Sequence, residues 1–396
     1  MNLVDIRALR SRFEHPVALT VGVEEELMLL DADTLELAPR APELMRALGG
    51  DPRFKLELPA AQLELLAPPS TTVAAAVGEL RGARQELGEA AARLGLRVAG
   101  AGAHPFSGAV GVLNGGSRYD ATHARYGVVA ELQLVFGLHV HVAVGGADAT
   151  IAVHDALRSR LPELAALAAA APFYAGRDSG LASVRPQIAS LLPRQGVPPA
   201  LGTLKAFAAE LAWGAAAGGV PDPRRWWWEL RPHPLHGTLE VRVCDTQPDS
   251  RGTAAIAGVV HALVAELAAR HRNGELEAPA ADWRIAENRW SACRAGLAGD
   301  MADLDSGRLE PTALRVARLL EELEGAAAAV GCAAELADAR ALLDAGGEAA
   351  RQRRIGARRG AHGLTAWLAE RFSGEDGRRP GGRPASAAGA VSHTPR

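Results

Sequence analysis

The sequence predicts an α+β protein in which one curved, mostly antiparallel sheet has helices packed on its outside. Three observations favour this class. Strand-like segments lie before residue 246, and every periodic segment from residue 253 onward is helical. The order of the elements also lacks the regular β/α alternation that a parallel sheet or barrel requires.

The strands are predicted from stretches in which apolar residues recur at every second position. They cover residues 19–31, 56–67, 96–101, 138–144, 226–230 and 238–245. A turn at 31–34 closes the first strand. Pro68 and Pro69 stop the second, because proline cannot donate a hydrogen bond to a strand ladder. Segments 102–116 and 172–199 are predicted to be loops.

The helices are predicted from apolar residues that recur every three to four positions. They cover residues 73–94, 148–170, 201–217, 253–271, 282–298, 312–329, 333–345 and 347–370. Thr72 can cap the first helix, since its hydroxyl can accept from a backbone N–H of the first turn. We expect one domain over residues 1–372. Segment 373–396 is rich in Gly, Pro, Arg and Ala without apolar periodicity, which predicts disorder.

The composition argues against several classes of function. A net charge of −3 gives no basis for a nucleic-acid partner or for binding to an anionic membrane. Cys244, Cys293 and Cys332 form no CxxC pair, which argues against a disulfide scaffold and fits a reducing cytoplasm. The sequence begins without a signal-peptide core, and its apolar runs are shorter than the roughly 20 residues that span a bilayer. We expect a cytoplasmic protein with small-molecule partners, and a homodimer is left open.

Four of the predicted strands share an unusual pattern. Side chains alternate faces along a strand, and in these strands one row is apolar while the other is polar. The polar rows contain Glu24 and Glu26, Gln62 and Glu64, His139 and His141, and Glu240 and Arg242. The simplest interpretation is that the polar rows face water.

Two details favour a metal-binding cavity instead. Surface strands usually carry Thr, Lys and Ser rather than clustered carboxylates and imidazoles. Glu24 and Glu26 also lie only about 7 Å apart on one face, where they repel each other unless a cation lies between them. Glutamate oxygens suit Mg²⁺ or Mn²⁺, and Mg²⁺ commonly joins carboxylates to phosphate oxygens. Arg242, beside Glu240 in the same row, could hold a phosphoryl group or a carboxylate.

Several common nucleotide and hydrolase motifs are absent from the sequence. Lys55 and Lys205 are followed by Leu and Ala, so neither belongs to a Walker A loop. The segment Gly100-Ala-Gly102 begins like a dinucleotide fingerprint, but Pro105 occupies the third glycine position. No G-x-S-x-G elbow is present.

Five short motifs occur in order along the chain. They are Gly22-Val-Glu-Glu-Glu26, Gly137-Leu-His-Val-His-Val142, Gly176-Arg-Asp-Ser-Gly-Leu-Ala-Ser183, Glu240-Val-Arg-Val-Cys-Asp245 and Glu287-Asn-Arg-Trp290. From about residue 18 to residue 370, the chain thus resembles the carboxylate–amine ligases of the glutamate–cysteine ligase type 2 family. That family has a glutamine synthetase-like fold.

The resemblance implies a reaction in which ATP phosphorylates a carboxylate and an amine then attacks the acyl phosphate. The expected products from glutamate and cysteine are γ-glutamylcysteine, ADP and phosphate, with Mg²⁺ or Mn²⁺ required. By motif, the resemblance implies four metal ligands, Glu24, Glu26, Glu64 and Glu240. It implies nucleotide contacts from His139, His141, Asn288 and Arg289. The implied catalytic residues are Arg242 and Arg185, and Arg185 lies at the end of an implied substrate loop over 177–185.

The chain departs from the family pattern at two positions. Ala60 stands where a further glutamate is usual, and Phe136 stands where a small residue or cysteine is common. Either departure could alter the choice of substrate or the number of metal ions. Glu25 falls on an apolar row, and the sequence gives no indication of what would stabilise it there.

Three other interpretations stay open. The ligase could use another amino acid or amine. A metal-dependent amidohydrolase could instead use His139, His141 and Glu64 around zinc or manganese. The chain could also be a silent relative that binds a nucleotide as a regulator, although the presence of Glu24, Glu26, Glu64 and Glu240 argues against this. Zinc content and ATP dependence would separate a hydrolase from a ligase.

Overall fold

The computed structural model of the protein describes residues 5–217 and 225–374. The strands of these residues are β1 (Val21–Asp31), β2 (Phe54–Leu56), β3 (Gln62–Ser70), β4 (Leu96–Ala99), β5 (Gly137–Val142), β6 (Phe173–Tyr174), β7 (Arg177–Asp178), β8 (Leu230–His233), β9 (Thr238–Asp245), β10 (Asp300–Ala302) and β11 (Leu309–Pro311). Residues 375–396, which make up nearly all of the predicted tail, lie outside the described residues.

Seven of the described strands form one sheet, and every pairing in it is antiparallel. Its main order is β2-β3-β1-β5-β9-β8. The long strand β1 lies inside the sheet, with β3 along one edge. Along the other edge, β5 pairs with its first half and β4 with its second half. The first half of β1 is therefore flanked on both sides by strands that carry polar rows.

The helices of the described residues follow the sequence pattern closely in the second half of the chain. They are α1 (Ile6–Glu14), α2 (Ala41–Ala47), α3 (Val73–Arg93), α4 (Ser117–Tyr126), α5 (Val128–Glu131), α6 (Ala147–Leu157), α7 (Leu161–Ala168), α8 (Arg185–Ala189), α9 (Leu204–Ala216), α10 (Ser250–Asn273), α11 (Asp282–Ala295), α12 (Thr312–Glu322), α13 (Glu324–Ala329), α14 (Ala333–Asp344) and α15 (Gly347–Ser373). Thr72 caps α3 as predicted, by accepting from the backbone N–H of Ala75.

Two of the predicted helices are divided in the structure. The segment 148–170 forms α6 and α7 with a 3₁₀ turn at Arg158–Arg160 between them. Pro162 lies in the first turn of α7, where its missing N–H costs no helical hydrogen bond. The segment 312–329 forms α12 and α13. The predicted loop 172–199 contains the short helix α8, and α4 directly follows the predicted loop 102–116; both helices line the site described below.

The second predicted strand does not end at Pro68 and Pro69. Strand β3 continues through both prolines to Ser70, which pairs with Val21 of β1. The pairing of β2 with β3 reaches only to Leu65, so one side of β3 is free of a strand partner beyond that point. Proline is tolerated there because no ladder hydrogen bond is required on the open side.

The apolar rows of β1, β3, β5 and β9 pack into one core cluster together with α3 and α10. This arrangement confirms the predicted α+β class, with a mostly antiparallel sheet and helices packed on it. By length and composition α10 could cross a membrane, but 83% of its most apolar 18-residue window is buried inside the protein. It is therefore the central core helix of this fold.

Glu25, which the sequence left unexplained, points into this core. Nε and Nη2 of Arg84 donate to its two carboxylate oxygens at 2.8 and 2.7 Å. The hydroxyl of Thr253, on α10, also donates to Glu25. Both charged side chains are almost wholly buried, so this ion pair joins β1, α3 and α10 inside the core.

Candidate active site

The polar rows of four strands lie side by side on the face of the sheet opposite the main core. The pairs in register are Glu24 with His139, Glu26 with Glu64, and His141 with both Gly22 and Glu240. Residues that are directly opposite on antiparallel strands share a face. The antiparallel register therefore brings the predicted carboxylates and imidazoles together, although they come from distant parts of the chain.

Glu24 belongs to two groups of three side chains whose ligand atoms all lie within 4.8 Å of one another. One group contains Glu24, Glu64 and His139, and the other contains Glu24, His141 and Glu240. Oε2 of Glu24 lies 3.4 Å from Nδ1 of His139, and Oε1 lies 3.4 Å from Nε2 of His141. One carboxylate shared by two such groups is suited to hold two neighbouring divalent ions.

The chemistry of these groups fits divalent ions. Nε2 of His139 and Nε2 of His141 are buried and make no hydrogen bond within the described chain. Burial, together with the charges of Glu24 and Glu57, raises the pKa of Glu64 well above its ordinary value. A divalent ion would supply the missing partner of the imidazoles and would favour the ionised form of Glu64. The oxygen-rich donor set matches Mg²⁺ or Mn²⁺.

Glu240 differs from Glu64 because arginine already neutralises it. Nε of Arg231 donates to Oε2 of Glu240 at 2.5 Å, and Nη1 of Arg242 donates to Oε1. Burial opposes ionisation here, but these two arginines hold the pKa of Glu240 well below its ordinary value. Glu64 accepts no such arginine hydrogen bond within the described residues, so it depends on a bound cation to favour its ionised form.

Glu26 lies beside His139 without belonging to either group. Its Oε2 accepts from the backbone N–H of Gly137 at 2.5 Å, and its Oε1 lies 3.8 Å from Nε2 of His139. Glu26 also lines an adjacent cavity. In this arrangement it is oriented by the backbone of β5 and faces the space where a substrate would bind.

A cavity of about 430 Å³ opens next to the carboxylate groups. This volume is in the range of pockets that hold small organic ligands. Helices α4 and α8 and strands β1, β3 and β9 contribute to its walls. The charged residues that line it are Glu26, Glu57, Arg118, Arg185, Arg225, Glu229 and Arg242. The site therefore has both anionic groups for metal ions and cationic groups for phosphate or carboxylate.

Arg242 and Arg185 both line this cavity, as the predicted catalytic roles require. Nη2 of Arg185 donates to the backbone oxygen of Arg242 at 3.0 Å, so the backbone of β9 holds the Arg185 side chain in place. A Cβ at Gly137 would lie 2.3 Å from Nη2 of Arg185, so a side chain there would displace this guanidinium group. Nε of Arg185 is buried without a hydrogen-bond partner in the described chain.

Asn288 and Arg289 have structural partners instead of a place in the cavity wall. The side-chain amide of Asn288 donates to the carbonyl of Ala302 at 2.7 Å and accepts from its N–H at 2.8 Å, which fixes β10 against α11. Arg289 donates through Nε and Nη2 to the two oxygens of Glu229, both at 2.7 Å. Of these residues, only Glu229 lines the described cavity. Arg289 thus acts on the cavity through Glu229.

Sequence reasoning missed four polar residues of this site. Arg231 and His233 lie on β8, but the sequence pattern predicted a strand that ended at residue 230. His236 stacks on His233 with ring centroids 4.3 Å apart, and its centroid lies 5.7 Å from that of His141. Glu57 lies in the connection from β2 to β3, where burial and the charge of Glu24 raise its pKa. Within the predicted strand 56–67 it fell on the apolar row.

The fold and site together define a carboxylate-rich centre on an antiparallel sheet, beside an arginine-lined cavity. The model of glutamate–cysteine ligase family 2 matches residues 20–366 of this chain. The chain therefore belongs to the glutamate–cysteine ligase family 2, as the sequence motifs predicted.

Relatives of similar length share this assignment. A protein of Rubrobacter xylanophilus, provisionally named glutamate–cysteine ligase 2-3, is 36% identical over 367 residues, which cover 91% of this chain and 99% of the relative. A protein of Frankia casuarinae, provisionally named glutamate–cysteine ligase 2-1, is 31% identical over 360 residues, which cover 88% of this chain and 93% of the relative. The family thus extends over almost the whole described chain.

Solved structures support the fold. The glutamate–cysteine ligase of Francisella tularensis, solved in complex with AMP, has a TM-score of 0.66 at 14% identity and covers 89% of both chains. A bifunctional glutathione synthetase of Pasteurella multocida has a TM-score of 0.64 at 14% identity. That match covers 94% of this chain and 54% of the longer synthetase. The sheet and its helices therefore share the fold of these two solved structures.

Proposed function

We propose that the protein is an ATP-dependent carboxylate–amine ligase that joins glutamate to cysteine through an acyl phosphate. The observation that carries this proposal is the pair of three-ligand groups that share Glu24, with Arg242 beside them. Phosphoryl transfer needs positioned cations more than a protein nucleophile. Family membership and the curated relatives support the same reaction.

The proposed reaction has two steps. An oxygen of the donor's γ-carboxylate attacks the terminal phosphorus of ATP, and ADP leaves. The amine nitrogen of the acceptor then attacks the acyl carbon, loses a proton, and phosphate leaves with one donor oxygen. Bound Mg²⁺ would neutralise phosphate charge during these steps, held by Glu24, Glu64, His139, His141 and Glu240. Arg242 and Arg185 would hold the phosphate or a substrate carboxylate at the cavity wall.

Other interpretations fit the geometry less well. The two imidazoles fall into different groups of the described chain, whereas a hydrolase would need His139, His141 and Glu64 around one ion. Cys244 is buried, and burial raises the pKa of its thiol to about 12, so it is a poor nucleophile at neutral pH. These observations favour phosphoryl transfer without a covalent enzyme intermediate.

We also propose that the protein acts in the cytoplasm on small molecules. Its cysteines Cys244, Cys293 and Cys332 are free and buried, which suits a reducing compartment. Its small net charge of −3 offers no general attraction to nucleic acid.

The test is an ADP-release assay over pairs of amino acids and amines with Mg²⁺. Glutamate with cysteine should give one ADP and one phosphate for each amide, and no AMP. When the γ-carboxylate of glutamate carries ¹⁸O, one labelled oxygen should appear in the phosphate. Amide hydrolysis without ATP, or release of AMP and pyrophosphate, would overturn the mechanism. ADP release with a different acceptor would overturn only the choice of cysteine.

A further inference from the structure

Lys55 lies on the polar face of the sheet, and the proposed reaction gives it no role. It lies on β2 directly opposite Glu64, so the two side chains share the polar face of the sheet. Its side chain is exposed, and it makes no hydrogen bond or ion pair with the described residues. A flexible ammonium group is thus available at the outer edge of the carboxylate groups.

The electrostatic reach of Lys55 supports this placement. Burial and the charges of Glu24 and Glu57 raise the pKa of Glu64, and Lys55 opposes that rise. Burial and the charge of His141 lower the pKa of His236, and Lys55 adds to that effect. Lys55 therefore lies close enough to Glu64 and His236 to act on both electrostatically.

We propose that the ammonium group of Lys55 binds an oxygen of the nucleotide's terminal phosphoryl group, an inference that rests on the proposed function. Lys55 has no ion-pair partner among the described residues, and Glu64 would share its charge with a ligated divalent ion, so the ammonium group is available to a phosphate oxygen. An ion bound by Glu24, Glu64 and His139 would draw phosphate oxygens to this side of the site.

The choice of lysine at this position fits a phosphoryl group that moves. All but two of the 43 Lys and Arg residues of the chain are arginine, and the second lysine is Lys205 on α9. Arginine holds an oxyanion in a fixed fork, whereas lysine is a compact charge on a flexible stem. Lys55 can therefore follow the phosphoryl group from the nucleotide to the donor carboxylate.

The two lysines allow a direct test in the full-length protein. Lysine acetylation is measured by mass spectrometry with Mg²⁺ alone and with Mg²⁺ plus AMP-PNP, ADP or glutamate. AMP-PNP should slow the acetylation of Lys55 by about tenfold or more, ADP should slow it less, and glutamate should have no effect. Lys205, which is exposed on α9, should react equally in every sample.

Calorimetry on the same samples separates the two proposals. If AMP-PNP binds but Lys55 reacts at an unchanged rate, the Lys55 contact is wrong and the proposed function stands. Protection by glutamate alone would assign Lys55 to the donor carboxylate and overturn the phosphate contact. If no nucleotide binds, the proposed function fails, and the Lys55 contact fails with it.

Substitutions give a second measurement of the same contact. Lys55→Met should lower kcat/KM for ATP by roughly 10- to 100-fold, the effect of a lost charge-assisted hydrogen bond. Lys55→Arg should restore part of that loss, and Lys205→Met should leave kcat/KM unchanged. The Lys55 variants should melt at the wild-type temperature, since the side chain is exposed. An unchanged kcat/KM in Lys55→Met would overturn the proposal.

Discussion

Consecutive glutamates of β1 show two different ways to bury a carboxylate. Glu25 faces the helices, where Arg84 binds both of its oxygens at 2.8 and 2.7 Å and Thr253 donates a third hydrogen bond. Glu24 faces the polar side, where imidazole nitrogens of His139 and His141 each lie 3.4 Å away. A single strand thus places one carboxylate in a structural ion pair and the next in a candidate metal site.

The difference lies in where the compensating cation comes from. The fold itself provides the cation for Glu25, so that carboxylate contributes to stability and is unavailable to a ligand. The carboxylates on the polar face lie close to one another, and Glu64 in particular resists ionisation because of burial and its neighbours. Burying carboxylates close to one another lowers the stability of the metal-free protein. Binding of an external cation to the folded state offsets this loss of stability.

The largest effect is expected on the polar face. Glu24→Gln removes the ligand that both three-ligand groups share, so turnover should fall by about 10³-fold or more. The variant should remain folded, and its stabilisation by Mg²⁺ in a thermal melt should be much smaller than that of the wild type. Equal stabilisation by Mg²⁺ in the two proteins would contradict the assignment of Glu24 as a ligand.

The neighbouring residue should respond in the opposite way. Glu25→Ala leaves Arg84 as a buried charge without its carboxylate partner, which typically costs about 3–5 kcal/mol of unfolding free energy. Urea denaturation of the metal-free protein measures this loss. Any protein that remains folded should show the Mg²⁺ response of the wild type, because Glu25 is on the other face.

A smaller effect is expected from pH, through Glu64. Burial raises its pKa in the folded protein above the ordinary value of 4.5, so the folded state binds more protons than the unfolded state in the pH range between these values. The stability of the metal-free protein should therefore fall as pH rises through that range. Mg²⁺ needs the ionised form, so its affinity should rise with pH, by at most about tenfold per unit for one proton.

Glu64→Gln is the matched control for this pH dependence. The variant keeps the shape of the side chain but cannot ionise, so the metal-free protein should lose that part of the pH dependence. Thermal melts at intervals from about pH 4.5 to 8, with and without Mg²⁺, make the comparison. If the wild type and Glu64→Gln respond to pH in the same way, another group controls metal binding.

The candidate ligands could be predicted because long strands reveal their two faces through alternation alone. Glu24, His139 and Glu240 were found in this way, since each lies within a strand of at least six residues. Arg231 was missed because β8 has four residues and contains Pro232, which interrupts the pattern. Glu57 was missed because alternation within the predicted strand 56–67 placed it in the row of Leu63 and Leu65, whereas it lies in the connection between β2 and β3.

The partners of Glu25 could not be predicted from a local sequence pattern. Arg84 and Thr253 are 59 and 228 residues from Glu25, and only the packing of α3 and α10 on β1 brings them together. The motif around Asn288 correctly indicated the family. The side chain of Asn288, however, binds the backbone of β10, one of the two three-residue strands of a hairpin. A motif therefore indicates which fold is present more reliably than which of its residues contacts a ligand.

The smallest effect is expected when both members of the core ion pair are replaced together. Glu25→Leu with Arg84→Met removes both buried charges and fills the space with apolar groups. Replacement of a buried ion pair by apolar residues is often neutral or stabilising, whereas removal of one partner is not. The double variant should thus be within about 1–2 kcal/mol of the wild type in urea denaturation, allowing for the Thr253 hydroxyl that loses its acceptor. Since the polar face is untouched, the Mg²⁺ response and the turnover of the double variant should match those of the wild type. A double variant that is stable but inactive would show that the ion pair also positions β1 for the site, and the two faces would then not be independent.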